Sequence, residues 1–257
     1  MKTLLSYGSF DLQSESVVTQ ETDVWSPAVK NVQVEPLAQH DGGSYVRDSL
    51  APKTFSIAGT LQGADTRAET DALIDAFVLG LSPSQTNFDI DNGSGKRRYI
   101  CTAKSPVLAR KKGLNTVGFS VEFVVPSGVG SDVDTSVLLA PTAITTATSS
   151  TAITVGGTYI AEPTIRLVYS AISGGTAKTV SISNGTTLRG IQITRNWVSG
   201  DVLELDSTNM SLYVNSIPVD FSGMFPEWDV GTGAITVIDD FTTRTGSLSA
   251  TYTRRWL

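Results

Sequence analysis

The chain has 257 residues, of which 40% are hydrophobic and 17% are charged, and its formal net charge is −6. This length and composition predict a folded protein with a sizeable core and argue against intrinsic disorder. The acidic balance argues against a nucleic-acid clamp, which needs a basic face for phosphates. The single cysteine, Cys101, excludes an internal disulfide. No signal peptide or membrane-spanning segment is expected, because no apolar run is long enough.

The first elements that can be recognised in the N-terminal half include a hairpin and a helix. Residues 31–50 alternate on either side of a glycine-containing turn and predict a long hairpin that is poor in large apolar residues. Residues 54–62 alternate as a core strand does. A capping box of Thr66 and Glu69, followed by apolar residues at helical spacing, predicts a helix at about residues 66–80.

Three further strands are predicted in this half, at residues 87–90, 98–103 and 116–125. The run Asp-x-Asp-Asn-Gly that starts at Asp89 is similar to the start of a calcium loop. Its glycine comes one position early, however, and Ile100 stands where the bidentate glutamate belongs. The run is therefore interpreted as a hairpin turn.

A shift in composition separates two predicted domains. Residues 113–165 contain no Lys or Arg, and residues 140–155 are almost wholly Ala, Thr, Ser, Ile and Val around one proline. These features predict an N-terminal domain at residues 1–126, an extended connector at 127–159 and a C-terminal domain at 160–257.

The C-terminal half contains seven or more short strand patterns, a number that suits a β-sandwich. Residues 201–206 alternate as a half-buried strand, and the two short runs that follow favour an antiparallel meander. The predicted fold is all-β with one helix, arranged as two β-sandwich-like domains.

An ordered series of motifs runs through this half. It comprises residues 189–194, Gly200-Asp201 with Asp206, Tyr213-Val214-Asn215, Phe225-Pro226, the strand 234–237 and the final strand ending at residues 253–257. In pattern and order the series resembles the C-terminal domain of siphophage distal tail proteins, the family that forms the hub between tail tube and tail tip. The resemblance implies that the C-terminal sandwich is galectin-like.

The same resemblance implies a structural virion protein that closes a homo-hexameric ring at the phage tail tip or baseplate hub. The tail tube protein would lie above the ring and the tail-tip hub protein below it, with DNA passing through the lumen only as cargo. Assembly in the host cytoplasm and no insertion into a membrane are expected. The family lays a hairpin arm across the neighbouring subunit, so the candidate ring-contact residues are Val32, Val34, Tyr45, Val46 and Arg47.

Recognition of a host-surface glycan, as by a tail-tip adhesin or carbohydrate-binding module, is the alternative function. Galectin sugar sites resemble a His-x-Asn-x-Arg strand followed by a Trp-x-x-Glu-x-Arg strand. The C-terminal half has no histidine, and Trp228 is followed by Asp229 and Val230 without the later Glu and Arg. Carbohydrate binding is therefore not expected, and Trp197, Trp228 and Trp256 are interpreted as core residues.

An enzyme is the third class considered. Glu204 and Asp206 share one strand face about 6 to 7 Å apart, within the range of a glycosidase pair. Adjacent carboxylates on a solvated strand face are ordinary, and nothing nearby supplies a buried setting. His40 and Cys101 stand alone in different elements, which leaves almost no material for a zinc site or a nucleophile. No catalytic residue, cofactor or metal is expected.

Two basic clusters remain, Lys96-Arg97-Arg98 and Arg110-Lys111-Lys112. Either cluster is able to contact an acidic partner surface. Because both stand where a loop meets a strand, solvated turns are the favoured interpretation.

Overall fold

The computed structural model describes residues 4–36, 43–91, 93, 95–110 and 115–257, except the side chains of residues 36, 43–45, 47 and 48. The chain divides into two compact units, Met1–Val133 together with Leu257, and Asp134–Trp256. Each unit has a hydrophobic core of its own. Among the described residues, no helix is long and apolar enough to cross a bilayer.

The described part of the first unit consists of strands and one helix. In chain order they are β1 (Leu4–Tyr7), β2 (Phe10–Asp11), β3 (Val17–Thr22), β4 (Lys30–Pro36), β5 (Gly43–Leu50), β6 (Lys53–Leu61), α1 (Arg67–Leu81), β7 (Thr86–Asp91), β8 (Lys96–Ala103), β9 (Val107–Arg110), β10 (Val117–Val125) and β11 (Gly130–Asp132). The all-β class with one helix is confirmed.

The sheet of the first unit has the strand order β2-β1-β7-β8-β10-β6-β3, with β9 beside β10 and β11 beside β8. Strands β6 and β10 pair along their full length, from Val117 opposite Leu61 to Val125 opposite Lys53. Both strands alternate buried and less buried residues, because successive side chains of a strand point to opposite faces. They form the centre of the sheet at the positions that alternation predicted.

Aromatic rings fill the core beneath these central strands. The ring of Phe55 stacks on Phe123 with centroids 5.2 Å apart and meets Phe88 edge-on at 4.8 Å. Tyr99 lies 5.9 Å from Phe55 on a further side. Phe55 is thus surrounded by rings, and its side chain is buried.

Helix α1 begins where the capping box predicted. The hydroxyl of Thr66 accepts from the backbone N–H of Glu69, and the Glu69 carboxylate accepts from the N–H of Thr66 at 3.0 Å. The helix buries Phe77 and Leu81, and the ring of Phe77 packs against Phe119 of β10 at 4.7 Å. The amphipathic helix therefore covers one part of the same core.

The second unit is built of strands alone among its described residues. They are β12 (Ser136–Ile144), β13 (Thr148–Val155), β14 (Thr164–Ser173), β15 (Lys178–Asn184), β16 (Gly190–Arg195), β17 (Val202–Asp206), β18 (Ser211–Val214), β19 (Ile217–Pro218), β20 (Ser222–Gly223), β21 (Gly231–Asp239), β22 (Thr243–Tyr252) and β23 (Arg255–Trp256).

Two antiparallel sheets share the core of this unit. One has the order β12-β22-β14-β17-β18-β19, and the other has the order β13-β21-β15-β16-β20. Leu167 and Leu203 from the first sheet and Ile182 and Val237 from the second belong to the same buried cluster. The unit is a sandwich, and the more specific likeness to galectins stays a prediction.

The residues expected to form an extended connector, 127–159, contain the strands β11, β12 and β13. Strand β12 pairs with β22, and β13 pairs with β21, so both belong to the sheets of the second unit. Ile144, Ile153 and Val155 are buried in its core. Thr, Ile and Val favour a pleated, half-buried surface, which explains why this stretch forms strands although it contains no Lys or Arg.

A buried ion pair lies at the connection between β21 of one sheet and β22 of the other. The Arg244 Nε lies 2.6 Å from Asp239 Oδ1, and both side chains are almost fully buried. The same carboxylate accepts from the hydroxyl of Tyr169 at 3.2 Å and from the backbone N–H of Phe241 at 3.2 Å. Burial raises the pKa of Tyr169, so its hydroxyl stays a donor to Asp239.

The predicted meander is formed by β17, β18 and β19. Asn215 and Ser216 join the last two strands with φ angles of 53° and 64°, as a two-residue hairpin turn whose twist matches the strands requires. The Asn215 amide also bridges, accepting from the N–H of Val202 and donating to the buried Asp201 carboxylate. These bonds fix the start of β17 against the turn.

Candidate functional site

The hairpin of β4 and β5 is the element predicted to make ring contacts. Its pairing runs from Lys30 opposite Leu50 to Pro36 opposite Gly43, with a register shift beside Gln33. Neither strand pairs with a third strand in the part of the chain that the structure describes. Both outer edges of the hairpin are therefore open to another strand.

The candidate contact residues lie on both strands of this hairpin. Val32, Val34 and Val46 have exposed fractions of 55%, 52% and 43%. Tyr45 stands opposite Val34, and Arg47 stands opposite Gln33; the side chains of both lie outside the described residues. The hairpin brings the five candidates into one element and leaves three valines without a core to bury them.

The base of the hairpin is anchored in the first unit. The N–H of Ala51 donates to the carbonyl of Val29 at 2.9 Å, which closes the two arms. Gly128 lies against this closure with φ +70°, and a Cβ there would stand 2.7 Å from the Ala51 carbonyl oxygen. Only glycine fits this approach without strain, so the chain after β10 holds the base in place.

A buried lysine lies next to this base, at the first residue of β6. The Lys53 Nζ donates to the carbonyl of Val24 at 2.6 Å and lies 4.7 Å from the centre of the Tyr99 ring. Burial lowers its pKa to about 8, and the nearby Arg97 acts in the same direction. Arg97 itself lies over the ring of Trp25, at 5.0 Å.

Raising the pH from 8 to 10.5 should increase the contribution of Lys53 to the free energy of unfolding of the first unit by about 2 to 3 kcal/mol. Folded Lys53 loses its proton near pH 8 and the unfolded lysine near 10.5, so the unfolded chain binds more protons within this window. Burial raises the pKa of Cys101 to about 12, which acts in the opposite direction above pH 9.

Urea unfolding of the wild type and of Lys53→Met at each pH isolates the lysine, since Cys101 is common to both. The stability of the wild type should rise relative to the variant across the window. A difference that stays constant with pH would show that Lys53 keeps an ordinary pKa.

The described residues of the two basic clusters are engaged within the first unit. Arg98 forms two bonds to Asp89, of 2.7 and 2.8 Å, and Lys96 lies 3.1 Å from the same carboxylate. Arg110 pairs with Asp71, whereas residues 111–112 lie outside the described residues. The first cluster therefore serves the hairpin of β7 and β8, which includes the run interpreted as a turn.

Glu204 and Asp206 lie along a groove of about 390 Å³ on the exposed face of the six-stranded sheet. Glu204 lies 3.4 Å from the Nε of Arg166 on the neighbouring strand. Asp206 accepts from the N–H of Thr208 and the amide of Asn209 and thereby shapes its own turn. Each carboxylate has local partners, and both are partly solvated.

The residues considered for metal binding are not brought together. Asp89 is occupied by Lys96 and Arg98, and Cys101 is buried in the core of the first unit. His40 lies outside the described residues. Across the ranges described above, no three His, Cys, Asp or Glu residues form a group able to hold an ion.

Two of the tryptophans considered as sugar platforms lie in the core of the second unit. The indole N–H of Trp197 donates to the carbonyl of Lys178 at 3.0 Å, and that of Trp228 donates to the carbonyl of Ala234 at 2.9 Å. Both side chains are buried, so neither ring offers a stacking face. Trp256 is partly buried.

The comparisons with known proteins agree with the fold. Residues 156–256 match the family model described as the C-terminal domain of a siphovirus-type tail component. The crystal structure of the Dit protein of phage SPP1 has the same fold, with a TM-score of 0.74, 15% identity and complete coverage of both chains. Residues 156–256 therefore correspond to the C-terminal domain of this tail-component family, and the whole chain shares the fold of SPP1 Dit. The resemblance read from the motifs is confirmed.

Other similarities are weaker. The baseplate of phage P2 in its activated conformation with Ca matches with a TM-score of 0.44 and 8% identity, over 98% of each chain. No curated protein sequence is significantly similar to this chain.

Lys53 and its neighbours were missed by sequence reasoning. The signal was present, because Lys53 occupies the inward position of β6 in the series that continues with Phe55 and Ile57. A lysine at an inward position must find partners or shift its pKa. Trp25 and Arg97, by contrast, are brought together only by the fold.

Proposed function

We propose that the chain is a distal tail protein, six copies of which form a ring that joins the tail tube to the tail tip or baseplate of a long-tailed phage. The observation that carries the proposal is the full-length likeness to SPP1 Dit, described as a paradigm of the hub adsorption apparatus in phages that infect Gram-positive bacteria. The tail-component domain at residues 156–256 supports the same conclusion.

In this assembly the tail tube protein lies above the ring and the tail-tip hub protein lies below it. DNA passes through the lumen as cargo, and the net charge of −6 per copy suits a wall that DNA passes without binding. The role is structural, with no catalytic step and no cofactor. The protein assembles in the host cytoplasm and resides in the virion.

Ring closure is the role proposed for the hairpin of β4 and β5. A cyclic ring is closed by head-to-tail contacts between different surfaces of neighbouring copies. The hairpin offers two open strand edges and the exposed valines at positions 32, 34 and 46. Pairing with a sheet edge of the next copy would bond those edges and bury the valines.

A variant with Val32→Ser, Val34→Ser and Val46→Ser tests this role. The isolated wild type should show a ring species by light scattering, and the variant should remain a folded monomer because the buried apolar surface is lost. Ring formation by the wild type should also improve with salt, which screens repulsion between the acidic copies over about 10 Å at 0.1 M.

The matched control replaces three comparably exposed valines of the second unit by serine, at Val137, Val198 and Val230. It should form rings as the wild type does. Rings that persist in the hairpin variant would overturn the contact assignment alone. A wild type that stays monomeric under all salt conditions and binds on a glycan array would favour the adhesin.

A further inference from the structure

The sandwich of the second unit has four edge strands, and three of them are poor templates for pairing. Strand β12 contains Pro141 and two register shifts against β22, whereas β19 and β20 are only two residues long. Proline, irregular pairing and short length are the usual protections of a sheet edge. These three edges are therefore protected.

The fourth edge, β13, has none of these protections. Its sequence is TSSTAITV, with no charge, proline or glycine, and it pairs with β21 in unbroken register over eight residues. A long, regular and uncharged edge strand is a template for another strand. Unlike the other three edge strands, β13 can therefore pair with a further strand.

The register shows which main-chain groups of β13 are free. The N–H of Asp239 donates to the carbonyl of Ala147, and alternation along an antiparallel ladder then directs the odd-numbered residues of β13 to β21. Ser150, Ala152 and Thr154 point their N–H and C=O groups away from it. In the structure as described, none of these groups has a hydrogen-bond partner.

Both ends of this free stretch are closed within the chain. The carbonyl of Thr148 accepts from the Thr146 hydroxyl at 2.8 Å, and the N–H of Gly156 donates to the Tyr252 hydroxyl at 2.8 Å. Thr148 and Gly156 are equally distant from Ala152 along the strand. The available ladder is thus short and centred on Ala152.

We propose that β13 pairs antiparallel with β13 of a second copy of this chain, about a two-fold axis at Ala152. Ala152 then faces its own counterpart, and Ser150 faces the partner's Thr154. Three facing residues on each strand, each with one donor and one acceptor, form about six hydrogen bonds between the copies. At each end of the paired stretch, residue 148 of one copy faces residue 156 of the other. The main-chain groups that are free on one strand therefore face those that are free on the other.

A second copy is the occupant because the strand is complementary to itself in charge and size. Each copy carries a net charge of −6, yet no charged side chain stands on β13 to oppose a like charge across the axis. The side chains that meet are Ser, Ala and Thr. The Ser150 and Thr236 hydroxyls already lie 3.1 Å apart across the β13–β21 pair, which shows that such residues fit side by side.

This two-fold contact is independent of the hairpin. It lies in the second unit and is isologous, whereas ring closure is head-to-tail. The experiment therefore uses the full chain with the three hairpin valines replaced by serine, and its outcome does not depend on whether rings form.

Cysteine cross-linking tests the register directly. In a bonded antiparallel pair the two Ala152 Cα atoms lie about 5.5 Å apart, within disulfide reach. Ala152→Cys should therefore give a covalent dimer under mild oxidation that reductant reverses. Cys101 is buried and does not compete. Val137→Cys, an exposed position on the protected edge β12, is the control. Cross-linking at 152 no faster than at 137 would overturn the proposal.

Two further variants test the contact without a cysteine. Ser150→Lys brings a charge beside the partner strand, and Ala152→Pro removes a donor at a position where an edge strand tolerates proline. Sedimentation should show a dimer for the parent chain and at least about tenfold weaker association for each folded variant. A parent that remains monomeric while binding a synthetic peptide of residues 147–156 would mean that the edge takes a strand from another protein, which overturns the pairing of copies.

Discussion

Replacement of Arg244 by alanine should lower the free energy of unfolding of the second unit by about 3 to 5 kcal/mol, because it leaves a buried carboxylate without its counter-ion. The Asp239 side chain is fully buried and that of Arg244 nearly so. Hydrogen bonds from Tyr169 and Phe241 would remain, but they do not supply the missing charge. Calorimetry of the full chain measures the loss, and the first unit provides an internal reference.

Arg166→Ala is the matched control for this change. Arg166 also pairs with a carboxylate of its own unit, Glu204, but about half of each side chain is exposed. Exposed pairs contribute about 1 kcal/mol or less. Equal losses in the two variants would show that burial does not decide the stability of these ion pairs.

Replacement of Phe55 by alanine should destabilise the first unit by about 3 to 5 kcal/mol, the usual cost of removing a large buried ring. Phe55 contacts the rings of Phe88, Tyr99 and Phe123, which cannot all move inward to fill the cavity. The free energy of unfolding, measured by urea denaturation, should fall for this unit alone.

The control for this second change is Phe221→Ala. Phe221 packs edge-on against Phe225 at 5.1 Å, but 42% of its surface is exposed. Its removal leaves no closed cavity and should cost about 1 kcal/mol or less. If Phe55→Ala cost no more than this, the ring cluster would not be the centre of the core.

Local sequence signals predicted the elements that carry strong periodicity. The capping box of Thr66 and Glu69 defined the start of α1, and alternation predicted β6 and β10. Such signals are read correctly because the burial pattern and the residue pattern coincide. The meander of the second unit was found for the same reason.

Strand β13 was not recognised as part of a sheet. Its inward residues Ser149 and Thr151 are as polar as their outward neighbours, so the period of two that identifies a half-buried strand is absent. The strand is specified by pairing with β21, a contact distant in sequence. Tertiary context overrides a local pattern in such cases.

The candidate site, too, was predicted from local sequence patterns only in part. The turn residues and the alternating pattern predicted the hairpin, and β4 and β5 are paired as an antiparallel hairpin in the structure. The ring-contact role proposed for Val32, Val34 and Val46 came from family resemblance, because no local sequence pattern indicates which surface would cover an exposed valine. The anchor of the hairpin at Gly128 depends on a contact between distant segments, which no local pattern reveals.

The placement of the tryptophans gives the two units different optical reporters. Trp197 and Trp228 are buried in the second unit, so their fluorescence emission should shift to longer wavelength when that unit unfolds. Trp25 in the first unit is 41% exposed and lies under the Arg97 guanidinium; its emission starts nearer to that of indole in water. Intrinsic fluorescence should therefore report mainly the unfolding of the second unit, whereas circular dichroism should report the unfolding of both units. Comparing the two signals separates the two unfolding transitions without a label.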